Sequence, residues 1–549
     1  MGFSDLLEQV GSTGRFQIVH VTLLSTPILM LASHNLLQNF VAAVPPHYCS
    51  AHSNLSQSQL SPEEALRITV PQDHRGKLHR CQRYVVPQWH LLDKNGTSNL
   101  RNEGNRCIDG WTYNMADRSS TIISDWHLVC DQHSLKQMGQ TIYMGGVLVG
   151  AFLFGSLADK YGRRILLLMS YLLMAVSGTC AAFSPSFPLF CFFRFGCGMA
   201  LSGIALNSLS LILEWIPTRV RTVVGTMSGY CYTLGQLILA LMAYYIRDWR
   251  WLTLAVSLPF YVFFLYAWWF HESARWLALK NKPDRAIKGL KSVAKFNGRC
   301  DEGEKIDIKE SMKNELSMSK GSYTALDLFR TPYMRISTVC LAAAWLSTSF
   351  AYYSLSMDLQ KFGVDIYLIQ VIFGAVDIPA KIIIAVTMSY IGRRPSQSAA
   401  LIIAGVTILI NLLVPYDQQT LRTSLAVVGK GCLAASFVCC YLYTGELYPT
   451  VIRQNGMGLV SSMARVGAMV APMVRLTGDY IPWLPGLIYG GAPIVSGVAV
   501  IFLPETLGTP LPDTIQDVEE RGSGKRSKMS PKETIILEDT GANLLKPVA

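Results

Sequence analysis

The sequence predicts an all-α membrane protein with twelve transmembrane helices in two six-helix halves, and three observations carry that reading. Half of the 549 residues are hydrophobic and only 15% are charged, against roughly 25% charged in a soluble domain. The apolar residues fall in long blocks, each near the ~20 residues needed to cross a bilayer. A motif of the first half also returns in the second. This composition excludes a disordered chain, a collagen and a small disulfide scaffold. The net charge of +11 does not indicate nucleic acid, because Lys and Arg sit at the ends of apolar blocks and in one central loop.

From the N-terminus, Met1-Gly-Phe-Ser-Asp-Leu-Leu-Glu8 carries acids where a cleaved signal peptide carries bases, so the first apolar block is expected to stay. Leu6 occupies the position where myristoylation needs Ser or Thr. Segments qualify as spans near 18–42, 136–157, 165–183, 187–213, 222–246, 251–270, 335–356, 365–390, 396–414, 421–443, 455–477 and 483–503. The domains follow: a first half over 1–270 with a polar Cys-rich loop at 43–135, a loop over 271–334, a second half over 335–503 and a tail over 504–549.

Cys49, Cys81, Cys107 and Cys130 share the polar loop and read as two disulfides, with three pairings open. The sequons at Asn54 and Asn95 lie in the same loop, which marks an outer face and glycosylation. With that loop outside, the short inner turns hold Lys160, Arg163, Arg164, Arg219, Arg221, Arg393, Arg394 and Arg453. The short outer turns hold Arg247, Arg250, Lys361 and Arg422. Eight against four agrees with the positive-inside rule. The loop 271–334 alternates charge and reads as short solvated helices with i,i+4 pairs. The tail, rich in Lys, Ser, Thr and Pro, reads as disordered.

The repeat fixes the architecture. Glu214-Trp-Ile-Pro-Thr-Arg-Val-Arg221 returns as Glu446-Leu-Tyr-Pro-Thr-Val-Ile-Arg453, and Tyr161-Gly-Arg-Arg164 as Ile391-Gly-Arg-Arg394, with Glu272 matching Glu505. Six spans per repeat preserve its direction through the membrane, as in the two parallel halves of the major facilitator fold. The bases of these turns, with Asp159, Glu214 and Glu446, are expected to form an inner-face latch that holds the two halves together when the outer side is open and breaks when the inner side opens. A lone copy of such a turn would be only a positive-inside anchor.

Charges deep in the spans mark the functional site, since each costs about 2.5–3.5 kcal/mol at the bilayer centre on insertion scales. Arg465 lies midway along span 11, Lys381 in span 8 and Lys430 in span 10. Asp377, one turn before Lys381, is placed for an i,i+4 pair with it, and Gly429 and Gly431 flank Lys430 in a tightly packed stretch. Three bases against one acid favour an anionic ligand, and the planar fork of Arg465 suits a carboxylate or sulfonate. Tyr230, Trp345, Phe350, Tyr352, Tyr353, Phe373, Phe437 and Tyr441 offer apolar walls. Taken singly, each is better accounted for by packing or lipid contact. His34, Asn35 and Gln38 form a polar stripe that fits a cavity edge or interhelical hydrogen bonding.

Several strings are similar to those of solute carrier family 22. These are Phe3-Ser-Asp-Leu-Leu-Glu-Gln-Val-Gly11, Ala42-Ala-Val-Pro45, Leu157-Ala-Asp-Lys-Tyr-Gly-Arg-Arg164, Glu272-Ser-Ala-Arg-Trp276, Tyr443-Thr-Gly-Glu-Leu-Tyr-Pro449 and Leu503-Pro-Glu-Thr-Leu507. The resemblance is to the organic anion transporter branch and its renal-type para-aminohippurate exchangers. It covers residues 1 to about 520 and leaves out the tail. It implies a polyspecific transporter of amphipathic carboxylates, sulfates and drugs at an epithelial, basolateral plasma membrane. It also implies exchange against an intracellular dicarboxylate such as 2-oxoglutarate, with chloride assisting and no other cofactor. It places Tyr230, Tyr353, Phe373 and Phe437 at cavity positions, and gives the anion branch Arg at position 465 where the cation branch tends to carry an acid.

The rival readings are an organic cation transporter of the same fold, with Asp377 as the free charge, a membrane enzyme, and a receptor without transport. An enzyme lacks support: the sequence shows no phosphate loop, no convergent nucleophile and base, and no close metal-ligand spacing among the four loop cysteines.

Overall fold

The computed structural model describes residues 11, 14–50, 61–72, 78–92, 104–107, 110–114, 120–280, 282–299, 325–357, 359–415, 417–449, 451–509, 511–512 and 514–522. The sequons at Asn54 and Asn95 lie outside the described residues. In the first half, the long helices are α1 (Arg15–Leu36), α2 (Ser134–Tyr161), α3 (Arg163–Ala182), α4 (Phe187–Trp215) and α5 (Thr218–Tyr245). The sixth span is broken into α6 (Trp249–Ser257) and α7 (Pro259–Ala267), because Pro259 has no N–H to continue the ladder. After the amphipathic α8 (Pro283–Phe296), the second half runs α9 (Pro332–Ser356), α10 (Ile366–Tyr390), α11 (Arg393–Leu413), α12 (Gln419–Leu447), α13 (Arg453–Leu476) and α14 (Leu484–Ile501).

Among the described residues, ten helical segments are long and apolar enough to cross a membrane. The two remaining spans, α5 and α9, have 28 and 25 residues but carry more hydroxyl and aromatic side chains. A helix whose polar face lines a chamber loses hydropathy for that reason. Within each half, close approach of the helices depends on small residues. A Cβ at Gly146 would lie 2.2 Å from the Phe195 carbonyl oxygen, and one at Gly467 would lie 2.4 Å from that of Leu346. Bare backbone lets α2 meet α4, and α13 meet α9, at that distance.

The Cys-rich segment is held by two small antiparallel ladders. Strand β1 (His47–Cys49) pairs with β4 (Trp111–Tyr113), and β2 (Arg83–Tyr84) pairs with β3 (Gly104–Asn105). Of the three open pairings, the structure forms Cys49–Cys107 and Cys81–Cys130.

Two segments differ from their sequence reading as freely solvated or disordered. In α8, Ala286, Leu290, Val293 and Ala294 are buried against the first half. The Asn297 side chain after it accepts from the Phe16 N–H at 2.9 Å, covering an orphan donor at the start of α1. In the tail, α15 (Ile515–Gly522) places Glu519 so that its carboxylate accepts the N–H groups of Tyr333 and Met334, at 3.0 and 3.1 Å, at the start of α9. Each half thus has the first turn of its first span capped by the segment that follows the half. Charge alternation in the loop and polar composition in the tail concealed these docking contacts. Residues 523–549 lie outside the described part.

Candidate functional site

The deep charges converge where α5 of the first half faces α9, α10, α12 and α13 of the second. Lys430 Nζ lies 2.7 Å from Asp377 Oδ1, with the two side chains 1% and 3% exposed. Lys430 also donates to the Phe373 carbonyl at 2.6 Å. Gln236 on α5 donates to the other Asp377 oxygen at 3.0 Å. The expected i,i+4 pair of Asp377 with Lys381 is therefore corrected, because the carboxylate turns toward α12 and takes the fully buried ammonium. A buried charge demands its partner more strongly than a half-buried one.

Lys381 extends the opposite way. Its Nζ donates to the Gly229 carbonyl at 2.7 Å and to Thr233 Oγ1 at 2.8 Å, and stands 5.6 Å over the Tyr230 ring. Lys381 and Asp377 thus fasten α10 to α5 at midmembrane, across the boundary between the halves. Nearby, the Asn35 side-chain amide donates to the hydroxyls of Tyr232 and Tyr353, at 2.7 and 2.8 Å, another link across that boundary.

Arg465 is half-buried, and its Nη1 donates to the Ser461 carbonyl of its own helix at 3.0 Å. Among the described residues, no carboxylate stands within ion-pair distance of it. Its electrostatic neighbours are Tyr353 and Tyr441. From there an aromatic wall runs through touching rings. Tyr441 meets Trp345 edge-on at 4.5 Å, Trp345 meets Phe437 at 6.2 Å, Phe437 meets Tyr352 at 5.5 Å and Tyr352 meets Tyr353 at 5.5 Å. The Lys430 ammonium lies 5.0 Å from the Tyr352 ring and 5.8 Å from that of Phe373. One end of the wall thus meets a neutralised cation, the other a cation with no acid beside it.

Phe350 does not join this wall. It packs on Tyr489 of α14 at 5.0 Å, and is better described as core of the second half. His34 likewise turns inward, with Nε2 3.3 Å from the Ser257 hydroxyl and its ring on Phe260, which leaves Asn35 as the member of the stripe that reaches the other half. Thr233, Tyr232 and Gln236 were overlooked in the sequence, although their spacing at 232, 233 and 236 sets their polar side chains on one face of the fifth span.

The basic turns are built alike in both halves. Gly162 and Gly392 take φ of +104° and +117°, a conformation open to glycine. Behind each, a carboxylate accepts the first helical N–H groups. Glu272 takes those of Arg163 and Arg164 at 3.0 and 3.1 Å; Glu505 takes those of Arg393 and Arg394 at 2.9 and 3.0 Å. Arg163 then pairs with Asp159 at 3.1 Å and Glu214 at 3.5 Å, and Arg393 with Glu446 at 3.0 Å.

Each of these pairs closes within one half, so in this state, among the described residues, they do not form the latch expected between the halves when the outer side is open. The string E-x-x-P-T-x-x-R follows its own GRR turn by one helical hairpin, so the acid of the same copy is the nearer one. Arg164 donates to the Trp268 carbonyl and Arg453 Nε to the Tyr448 carbonyl at 3.1 Å, contacts that also stay within a half. Arg394 is exposed, and the side chain of Arg221 is outside the described set. The halves are instead tied at the Cys-rich end, where Asn39 donates to the Ser356 carbonyl at 2.7 Å and Gln360 bonds both ways with Val44. His133 meets Asp479 there at 2.8 Å.

Comparison with known proteins agrees with this architecture. Residues 101–516 match the sugar (and other) transporter family. The chain is 74% identical to solute carrier family 22 member 6 of Pseudopleuronectes americanus, with all of both chains covered. It is 48% identical to organic anion transporter 3 of Homo sapiens, over 97% of this chain and 96% of that one. The inward open conformation of the xylose transporter XylE from E. coli superposes with a TM-score of 0.61 at 15% identity, covering 92% of this chain and 99% of that one; it shows a shared fold. This multi-pass membrane protein has the major facilitator fold and belongs to solute carrier family 22.

Proposed function

We propose that the chain is a polyspecific organic anion transporter of the plasma membrane, exchanging amphipathic carboxylates and sulfates for an intracellular dicarboxylate by alternating access. The single observation that carries this reading is the distribution of charge. Asp377 is committed to Lys430, whereas Arg465 has no acidic partner among the described residues. An anion that docks its carboxylate on the Arg465 fork places its apolar body against Tyr441, Trp345, Phe437 and Tyr353. The names of the relatives at 74% and 48% identity support the same substrate class. A cation transporter would need a free acid in this chamber, and Asp377 is not free.

Exchange follows from the same electrostatics. With Lys381 and Asp377 fastened to α5 and the Cys-rich end tied, the described state is closed on that side, which the topology places outside. Reorienting the chamber while Arg465 is unneutralised carries an exposed charge through a low-dielectric passage, which is costly. A bound anion removes the cost, so return transit favours a loaded site. A basolateral epithelial location is part of the proposal, supported by the family alone.

The test is uptake of radiolabelled para-aminohippurate into cells preloaded with glutarate. Preloading is expected to stimulate uptake, and excess tetraethylammonium to leave it unchanged. Uptake blocked by tetraethylammonium and indifferent to glutarate would refute both substrate class and exchange.

A further inference from the structure

A second cavity lies within the first half, at the end opposite the Cys-rich loop. The start of α1, the stretch after α7 and the helix α8 enclose about 120 Å³, with His20, His271 and Ser292 in the lining. Aromatic rings make up most of the rest. Phe16 stacks on His20 at 5.2 Å and meets His271 and Phe296 edge-on at 5.7 and 6.1 Å, while Phe270 meets His20 at 5.4 Å. Trp269 and Phe296, both exposed, form the rim. His20 precedes Asn35, which reaches the chamber, by about 22 Å along α1. The cavity is therefore remote from Arg465.

Its polar atoms are unsatisfied. His20 is 3% exposed, and its Nε2 has no hydrogen-bond partner; the buried Nδ1 of His271 has none either. The His20 ring is hydrogen-bonded to the Leu211 backbone, which puts its hydrogen on Nδ1 and leaves Nε2 as an acceptor. His271 Nε2 meets the Ser292 hydroxyl at 3.2 Å. When that hydroxyl donates, the hydrogen of His271 sits on Nδ1 and points to a missing acceptor. One imidazole thus needs a donor and the other an acceptor. A single hydroxyl group meets both needs. The rings around it suit a flat apolar body, and an apolar cavity of about 150 Å³ takes benzene. Water would satisfy the nitrogens and leave the aromatic faces against a polar guest. A carboxylate would bring no hydrogen for His20 Nε2, which separates this ligand class from the anions of the chamber.

We propose that this cavity binds a small neutral phenol, its hydroxyl bridging His20 Nε2 and His271 Nδ1 and its ring held among Phe16, Phe270 and Phe296. The bound ring joins α8 to α1 beside the contact of Asn297 with Phe16 and stabilises the first half. The inference does not rest on the transport reading.

The experiment titrates the full-length protein in nanodiscs with phenol and, separately, with toluene, which has a similar size and no hydroxyl, reading the unfolding midpoint. Phenol is expected to raise the midpoint in a saturable way, and toluene to need at least tenfold more for the same rise. His20→Phe and His271→Phe, which keep the aromatic packing, should each weaken the apparent affinity for phenol at least tenfold. Arg465→Ala and saturating para-aminohippurate should leave the response intact. Crystals soaked in 4-bromophenol should show the bromine anomalous peak inside the cavity. The phenol–toluene comparison on wild type decides even where a histidine variant fails to fold. The proposal is overturned if phenol does not raise the wild-type midpoint, if toluene matches phenol, or if both folded histidine variants respond as wild type does. Bromine only in the chamber at Arg465, or an acyl chain or ordered water that the soak leaves in the cavity, would overturn it equally.

Discussion

In the second half, Lys430 on the fourth helix meets Asp377 on the second at 2.7 Å; in the first half, Arg194 on the fourth helix meets the Tyr143 ring on the second at 4.1 Å. The same two helix positions thus carry a buried cation in both halves, paired with a carboxylate in one and, among the described residues, with none in the other. Away from the midplane the halves agree closely. Each has a positive-φ glycine, a carboxylate on the next helix start, and an Arg–Glu pair beneath it. The difference separates two regions: the turns at the membrane face fasten each six-helix half within itself, and the midplane side chains differ between the halves.

Breaking the neutral pair should have the largest effect. Asp377→Asn leaves Lys430 buried without a counter-charge, a loss of about 3–5 kcal/mol. The folded fraction after mild heating, followed by fluorescence-detected gel filtration, should fall sharply, and Lys430→Met in the same chain should restore most of it. An unchanged melting profile for Asp377→Asn would contradict the assignment.

The turn glycines sharpen the comparison from the other side, because the two halves should respond alike. An added Cβ would lie 2.4 Å from Glu272 Oε2 at Gly162 and 2.6 Å from Glu505 Oε2 at Gly392. With backbone strain of about 1–3 kcal/mol, Gly162→Ala and Gly392→Ala should lower the unfolding midpoint by similar amounts. A large effect in one half and none in the other would show that the frames are not equivalent.

The carboxylates behind those glycines should differ, by a smaller margin. Burial pushes the Glu272 carboxyl up despite its backbone donors. For Glu505, burial opposes the charge but the N–H groups of Arg393, Leu507, Arg394 and Thr506 together hold it below the usual range. The stabilisation from Glu505 is therefore present at neutral pH and lost as pH falls through its lowered value. That from Glu272 is fully present below the ordinary carboxylate value and declines as pH rises through its raised one. At neutral pH, Glu505→Gln should cost about 1–3 kcal/mol and Glu272→Gln less. Acidification should shrink the gap between their unfolding midpoints; a gap that widens would reverse the assignment.

The twelve spans and their repeat were legible because a bilayer demands long apolar stretches with internally satisfied backbone, and that demand is written locally. Arg465 was legible on the same ground, since a base midway along a span cannot reach water. Partner choice was not legible. Sequence spacing offers Lys381 to Asp377, while packing delivers Lys430 from 53 residues away. Likewise, a repeated motif does not say whether Glu446 serves the basic turn of its own half or of the other. Arg194 was overlooked because the charge count took in the second-half spans alone. The docking of Glu519 depends on an isolated helix start that needs a cap, which hydropathy does not report.

Direct binding tests the central claim most closely: equilibrium binding of radiolabelled para-aminohippurate to the purified protein in nanodiscs, wild type against Arg465→Ala and Arg465→Lys. Wild type should bind saturably, Arg465→Ala should lose at least tenfold in affinity at an unchanged unfolding midpoint, and Arg465→Lys should fall between them. Wild-type affinity in Arg465→Ala would show that the unpaired guanidinium does not receive the anion.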